Sequence, residues 1–334
     1  MLSNIVFESR ACPFCGETNR EPIIVLKSED IVSANWSYRP IEILARFGPL
    51  GNHEIVKCSN CDFIYAGYLP SQTFLSFVYD ELIDVEAARR ESFRPHNFAS
   101  RMEYLSSMLR MLGRGSKVLD FGCGFGPTLA LLRNIGDVET VGFETSFARV
   151  QELSEWHPLI TSDLDRVEAL GPFNAIILDN VLEHVPEPRQ TALSIGKLCA
   201  EGAFLYVSVP DMNRRYLASQ ATLNRSGKLL AMDVNPWEHL NYFDLAHLDA
   251  LLITAGFVPL KQAELPSEVR VGLRPEHNIF PRMKNSFASL FRQARYAITG
   301  EALPTANRRF YRYSGHVTAK SVNFSAVGRS RCVA

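Results

Sequence analysis

The chain has 334 residues, 46% of them hydrophobic, with 35 basic and 36 acidic side chains and a net charge of −1. That length accommodates one large core or two to three smaller units, and that apolar content excludes a chain disordered throughout. No apolar run reaches about 18 residues, so no membrane-spanning helix is expected. The opening residues lack a basic start followed by a long apolar stretch, which predicts no signal peptide and a cytoplasmic protein.

The first unit in chain order covers residues 1–75. It carries two Cys-x-x-Cys pairs, Cys12-Pro13-Phe14-Cys15 and Cys58-Ser59-Asn60-Cys61, with 42 residues between them. Thiols stay reduced in the cytoplasm, so paired cysteines read there as metal ligands before disulfides. Four thiolates fill a tetrahedral zinc shell and leave no open position, which predicts a structural zinc site and a small zinc-binding module. The intervening residues should form hairpins or a loop, and Pro22–Leu26 and Phe63–Tyr65 look like strands. Cys123, Cys199 and Cys332 belong to no such pair and read as ordinary thiols.

A helical linker or lid follows over 76–115, within a helical stretch from about Ser71 to Leu112. Leu105, Met108, Leu109 and Leu112 recur at helical spacing, and Pro95 divides the stretch into at least two helices. From Ser116 strands and helices alternate. Strands are expected at Lys117–Phe121, Thr140–Phe143, Leu159–Thr161, Phe173–Leu178 and Ala203–Val209. Helices are expected from Pro127, over Ser146–Glu155, over Arg189–Cys199, and over Leu245–Ala255 with Gly256 as its stop. This alternation predicts an α/β, Rossmann-like, doubly wound and mostly parallel sheet over 116–262. Residues 263–334 form a basic extension; from Leu265 onward, 12 Lys and Arg stand against 3 Asp and Glu. Such a tail can meet an anionic substrate, nucleic acid or a membrane, or remain a solvated or inter-subunit surface.

The first strand of the alternating region runs into Asp120-Phe121-Gly122-Cys123-Gly124-Phe125-Gly126, just before a helix. Glycines at alternate positions allow a tight bend and close approach of a ligand. The spacing is not the G-x-G-x-x-G of a dinucleotide site, and the acid ahead of it suits a cationic ligand better than a pyrophosphate. Glu144 ends the next strand, 20 residues after Gly124, where an acid can accept hydrogens from both ribose hydroxyls.

These residues resemble the class I S-adenosylmethionine-dependent methyltransferases, over roughly Arg101–Leu260. Further matching blocks are Ser162-Asp163, Asp179-Asn180-Val181-Leu182-Glu183-His184-Val185, Ala200-Glu201-Gly202-Ala203 before the next strand, Val209-Pro210-Asp211, His239, Phe243 and Ala255-Gly256-Phe257. The resemblance implies S-adenosylmethionine as cofactor, bordered by Asp120, Gly122, Cys123, Gly124, Gly126, Glu144, Thr145, Asp163, Asp179 and Asn180. Asp120, Glu144, Asp163 and Asp179 also fall at carboxyl ends of expected strands, where open parallel sheets bind their ligands. With the cysteine pairs, residues 10–260 are similar to bacterial nucleotide-sugar C-methyltransferases, although about 70 C-terminal residues are too few for the large further domain of that group.

That second resemblance implies His184, Glu238, His239 and Tyr79 at the acceptor. Carbon methylation beside a ketone needs a base and a stabilised enolate oxygen. His239 is expected to be the base and His184 the oxyanion or hydroxyl partner. The expected partner is a small-molecule acceptor, a nucleotide-linked sugar first, methylated at carbon or oxygen. An RNA methyltransferase fits the zinc pairs and basic tail, but the pairs lack a basic stripe with interleaved aromatics, so nucleic acid is not expected. A catalytically inactive binding protein is the remaining alternative, opposed by the complete set of Asp120, Gly122, Gly124 and Glu144.

Overall fold

The computed structural model describes residues 7–35, 37–39, 50–211, 235–261 and 306–314. Apolar alternation builds a seven-stranded sheet from β6 (Ser116–Phe121), β7 (Val138–Phe143), β8 (Ile160–Thr161), β9 (Phe173–Asp179), β10 (Cys199–Pro210), β12 (Phe257–Pro259) and β13 (Ala306–Tyr313). Its order is β12-β13-β10-β9-β6-β7-β8. Strands β6 to β10 pair in parallel, and β13 runs antiparallel to both β10 and β12. The sheet is therefore doubly wound and mostly parallel, as the alternation predicts.

Both faces are covered, so successive residues of the central strands enter different cores. Leu119, Ile176, Leu178, Leu205 and Val207 pack with Ala192 and Ile195 of α8 (Pro188–Leu198) and Leu248 and Leu251 of α9 (Leu245–Thr254). Val118, Ala175, Ile177 and Tyr206 pack the opposite way, with Leu105 and Met108 of α4 (Pro95–Met111) and Leu131 and Leu132 of α5 (Pro127–Ile135). Pro95 and Pro127 each occupy a first helical turn, where a missing N–H costs nothing. Leu105 and Met108 are buried and Leu109 and Leu112 partly so. Two further helices lie one on each face: α6 (Phe147–Ser154), where one was expected, packs Leu153 against Leu129 of α5, and α7 (Leu164–Leu170), which the sequence reading does not anticipate, turns Val167 into the core of α8 and α9.

The strand order places the switch point at β6. The chain adds β7 and β8 on one side and β9 and β10 on the other, opening a crevice at the carboxyl ends. Asp120, Glu144 and Asp179 all stand there.

The N-terminal unit contains β1 (Phe7–Ser9), β2 (Arg20–Lys27), α1 (Ser28–Ala34), β3 (Asn52–Cys58), β4 (Ile64–Ala66), β5 (Tyr68–Pro70) and α2 (Gln72–Phe77). Tyr79 follows on a π-helical turn, Val78–Leu82, and α3 (Val85–Ser92) leads into α4. The unit is not self-contained. Its four-stranded sheet has the order β11-β4-β3-β2, and β11 (Asn241–Tyr242) comes from the far side of the methyltransferase-like region. Cys12, Phe14, Cys58, Cys61 and Phe63 share one core with Leu119 and Leu248, while Trp237 is buried among Ile24, Ile55, Phe74 and Val78.

Two expectations about elements change. The sheet needs β13, so it extends beyond residue 262 into the segment read as an extension; most of that basic segment, including Cys332, lies outside the described residues. Ala200–Ala203 is not a turn before a strand but lies inside β10, where the register to β9 shifts between Cys199 and Phe204. The positive φ of Gly202, 69°, permits that irregularity. Among the described residues, no helix is long and apolar enough to cross a membrane.

Candidate active site

The loop after β6 turns back on three glycines with positive φ: Gly122 at 77°, Gly124 at 56° and Gly126 at 76°. At Gly122 a Cβ would lie 2.8 Å from Val181 Cγ2, so packing requires glycine there. At Gly124 a Cβ would meet nothing within 4 Å, which leaves open space over the backbone where a ligand can lie. Gly124 N–H donates to Glu144 Oε2 at 2.9 Å, and Ser146 N–H donates to Glu144 Oε1 at 2.9 Å. The acid at the end of β7 is thus aimed across the glycine turn. Arg149 of α6 lies 3.9 Å from Glu144 Oε2 and stacks on Phe125, 4.6 Å from its centroid.

Asp120 is buried, and its Oδ2 has no hydrogen-bond partner among the described residues. Burial pushes its carboxyl up to about 8, with the charge of Asp179 adding to the effect. Asp179 is half-buried and pairs with Arg101, and Asn180 beside it takes a left-handed φ of 58°. Thr145 is exposed and turns its hydroxyl toward Glu144 Oε1 at 3.5 Å. Asp163 is exposed and caps α7 by accepting from Asp165 N–H. Cys123 N–H donates to Phe143 O at 2.9 Å. Its side chain is buried with Leu129, Leu153 and Ile160, so only its backbone borders the turn. Burial accordingly holds its thiol well above the usual range.

Beside this crevice the structure brings His184 and His239 together, rings 4.8 Å apart and edge to face. Two backbone bonds join their loops, with Leu240 and Asn241 N–H both donating to the Glu183 carbonyl, at 2.6 and 3.0 Å. Asn241 Nδ2 donates to the carbonyls of Leu182 and Val185, and Arg10 donates to Pro186 O and Asn241 Oδ1. His184 Nδ1 lies 2.9 Å from Glu238 O. A carbonyl only accepts, so Nδ1 carries the hydrogen and Nε2 keeps its lone pair. Burial and the neighbouring His239 press His184 down to about 3, so the ring is neutral near pH 7. This neutral tautomer suits a hydroxyl partner and not the oxyanion donor considered above.

The Glu238 carboxylate is half-buried and heavily solvated by side chains at one oxygen. Oε1 accepts from Tyr38 Oη at 2.5 Å, Asn235 Nδ2 at 2.9 Å and Asn35 Nδ2 at 3.5 Å. Burial raises its pKa, and the Tyr38 donor, the Arg149 charge and the Asn35 donor oppose the rise. Tyr79 lies within electrostatic reach of Glu238, Arg149, Glu144 and Glu183, and its phenol is pushed up by burial first.

The family described as Methyltransferase domain matches residues 90–262. The chain belongs to that family. The ubiquinone biosynthesis O-methyltransferase of Psychrobacter arcticus is 30% identical over 154 residues, 43% of this chain and 59% of that protein. The corresponding enzyme of Xanthomonas oryzae pv. oryzae is 26% identical over 182 residues, 52% of this chain and 66% of that protein. The chain thus spans less than two thirds of the length of these curated relatives. Among solved structures, the plantazolicin methyltransferase BpumL in complex with a monoazolic desmethylPZN analog and SAH is 11% identical. The match covers 72% of this chain and 94% of that one, with a TM-score of 0.48. A SAM-dependent methyltransferase from Archaeoglobus fulgidus is 13% identical, over 72% of this chain and 100% of that one, with a TM-score of 0.39.

The methyltransferase domain fits S-adenosylmethionine by the chemistry of its open groups. Among the described residues Asp120 Oδ2 has no partner and suits an ammonium, the Gly124 backbone is uncovered and suits close approach, and Glu144 keeps lone pairs for ribose hydroxyls. The cysteines attached to the domain fit zinc. Their four Sγ atoms lie within 4.8 Å of one another, Cys12 to Cys61 at 3.7 Å and Cys15 to Cys58 at 3.6 Å, and none is in a disulfide. Zinc–sulfur bonds of about 2.3 Å in a tetrahedron require sulfurs about 3.8 Å apart.

Sequence reasoning did not single out Asn35, Tyr38, Asn235 or Arg149. Tyr38 and Asn235 are 197 residues apart, and no local spacing announces them. Arg149 had a readable signal, a cation on the helix that follows the strand ending in Glu144.

Proposed function

We propose that this chain is an S-adenosylmethionine-dependent methyltransferase whose acceptor is a small molecule bearing hydroxyl or keto groups, docked over His184, Glu238 and His239. One observation carries the reading: Arg149 and Tyr79 lie within electrostatic reach of both halves of the crevice. Arg149 touches Glu144 and its charge reaches His184 and Glu238, while Tyr79 feels both Glu144 and Glu238. The cofactor residues and the acceptor residues therefore border one space.

S-adenosylmethionine, when bound, supplies a methyl carbon already activated by a positive sulfur. Asp120 would hold its ammonium, Glu144 its ribose hydroxyls, and Asp163 would face the adenine side. Asp179, Asn180 and Thr145 complete that wall. The remaining work is to place the acceptor atom in line and to remove its proton. His239 takes that proton, and His184 Nε2 accepts a hydrogen bond from an acceptor hydroxyl. Cys12, Cys15, Cys58 and Cys61 would hold a structural zinc ion.

A nucleotide-linked 4-keto sugar is the first acceptor class, on the strength of the sequence resemblance. Methylation at oxygen is the second, favoured by the two relatives described as ubiquinone biosynthesis O-methyltransferases. The test is transfer of labelled methyl to nucleotide sugars with and without a 4-keto group, to catechols, and to total RNA. Label in a small molecule supports the reading, base-stable label in a keto sugar supports carbon methylation, and label in RNA alone overturns it.

A further inference from the structure

Glu238 is held from an unexpected direction. Residues 37–39 pair with the π-helical turn that carries Tyr79: Arg39 N–H donates to Leu82 O at 2.8 Å, Asp84 N–H to Ser37 O at 2.7 Å, and Tyr38 bridges Ile83. Tyr38 stacks on Trp237, centroids 6.1 Å apart and planes 14° from parallel. Trp237 is fully buried in the N-terminal core, where its Nε1–H donates to the His53 ring at 3.2 Å. The residue just before Glu238 is thus anchored in the N-terminal unit, and Tyr38 reaches the carboxylate from that same unit.

The bonding at Glu238 is one-sided. Tyr38 Oη donates to Oε1 and itself accepts from Asn235 Nδ2 at 2.6 Å, while Asn235 and Asn35 also donate to Oε1. Asn35 is itself fixed, because Ser37 N–H and Oγ–H both donate to its Oδ1, at 3.0 and 2.7 Å. Oε2 makes no hydrogen bond among the described residues, and the side chain is half-buried rather than sealed. A carboxylate with one oxygen saturated and the other open is oriented for an incoming donor. The Glu238 main chain meanwhile fixes His184, so both sides of the residue serve the same pocket.

We propose that Tyr38, supported by Asn35 and Asn235, is a positioning residue that saturates Glu238 Oε1 and leaves Oε2 to accept a hydrogen bond from an acceptor hydroxyl beside the methylated position. The N-terminal unit then selects hydroxylated acceptors as well as carrying the cysteines. The acceptor part of this inference rests on the proposed function; the positioning part does not.

Tyr38→Phe is the test, since it removes one hydroxyl and keeps the ring on Trp237. In full-length protein with carboxyl-13C glutamate, Glu238→Gln identifies the Glu238 signal. Tyr38→Phe should raise the pKa of that carboxyl by about one unit, because a charge-assisted donor to the ionised form is lost. In turnover, the probes are a 4-keto nucleotide sugar and a catechol, each with its analogue lacking the neighbouring hydroxyl. The wild type should favour the hydroxylated probe about tenfold or more in kcat/KM, and Tyr38→Phe should lose most of that preference through KM. Its S-adenosylmethionine affinity should stay within about twofold. An unmoved carboxyl titration, or a hydroxyl preference unchanged in Tyr38→Phe, overturns the proposal. If the wild type methylates neither probe, the acceptor reading fails with the proposed function, and the carboxyl titration alone decides the positioning role.

Discussion

Arg101 pairs with Asp179, Nε to Oδ2 3.4 Å, while Asp120 on the neighbouring strand keeps a buried Oδ2 with no hydrogen-bond partner among the described residues. The cation of α4 thus compensates one of two acids at the switch point and leaves the other for a ligand. With its carboxyl pushed up to about 8, Asp120 is largely protonated near pH 7 in the empty protein. An ammonium brought beside it favours the charged form. Binding of S-adenosylmethionine at pH 6.5 should therefore release close to one proton, read by calorimetry in buffers of different ionisation enthalpy. Asp120→Asn should abolish the release and weaken binding about tenfold or more. Equal proton release by wild type and variant would remove Asp120 from this role.

The two glycines at the turn should fail differently. Gly122→Ala sets a methyl group against Val181 at 2.8 Å and a side chain at φ 77°, so the fold itself suffers. A loss of about 2–4 kcal/mol is expected. Gly124→Ala meets only empty space at φ 56° and should cost the fold about 1–2 kcal/mol. Its methyl group occupies ligand space, so cofactor affinity should fall about tenfold or more. Denaturant melts and equilibrium dialysis of the two variants separate the effects.

Which parts could be read from the chain follows the same division between local and distant. Asp120, the glycines and Glu144 lie within 25 residues, on two adjacent parallel strands, so spacing and strand ends locate them. At Cys123 the motif gives the position in the turn but not the direction of the side chain, which is buried with Leu129 and Ile160. Tyr38 and Asn235 meet only because Trp237 is buried in the N-terminal core and Asn241 pairs with Tyr65 across β11 and β4. β13 was hidden by its charge, since Arg308, Arg309 and Arg312 read as a basic tail. In the fold, Arg309 pairs with Asp249 at 2.5 Å and Arg312 lies over Phe204, so these cations are partly spent within the domain.

Acid should destabilise the fold through three histidines whose pKa burial lowers, His53, His157 and His184. His53 and His157 are both pressed down to about 4 by burial. Leu159 N–H donates to His157 Nδ1 at 3.3 Å, so the other nitrogen carries the hydrogen and donates to Thr140 Oγ1 at 2.7 Å. A second proton would break the Leu159 bond. The unfolded chain binds these protons below about 6.5 and the native chain only below about 4. Stability therefore rises with pH across that window and is lost as pH falls through it. With His184, pressed down to about 3, three such groups give a slope of at most about 4 kcal/mol per pH unit, partly offset by the raised Asp120 and Glu238 carboxyls, which bind their protons more tightly in the native state. Urea melts between pH 4 and 7 measure the slope, and His157→Gln should lower it by one group's share, about 1.4 kcal/mol per pH unit.

The cysteine cluster should matter to the loops of His184 and His239 through hydrogen bonds. His247 Nε2 lies 2.9 Å from Cys61 O, its Nδ1 lies 2.9 Å from Asp244 Oδ2, and its ring packs against Phe14 and Phe63. Ala66 N–H donates to Leu240 O, one residue beyond His239, and Arg10 spans from the first cysteine pair to Pro186 and Asn241. The purified chain should contain one zinc ion per molecule, and Cys61→Ser should lose it. Because Cys61 O meets His247 of α9 while β4, just beyond Cys61, pairs with β11 and holds Leu240, zinc loss should loosen residues 183–185 and 238–241 together. Amide exchange is the measurement: protection should fall at both loops in Cys61→Ser while β6 and β7 keep theirs. Arg10→Ala should loosen the same loops with zinc still bound, since burial presses that guanidinium down to about 10 and its three carbonyl acceptors lose their partner. Unchanged exchange at both loops in both variants would separate the cysteine cluster from the active site.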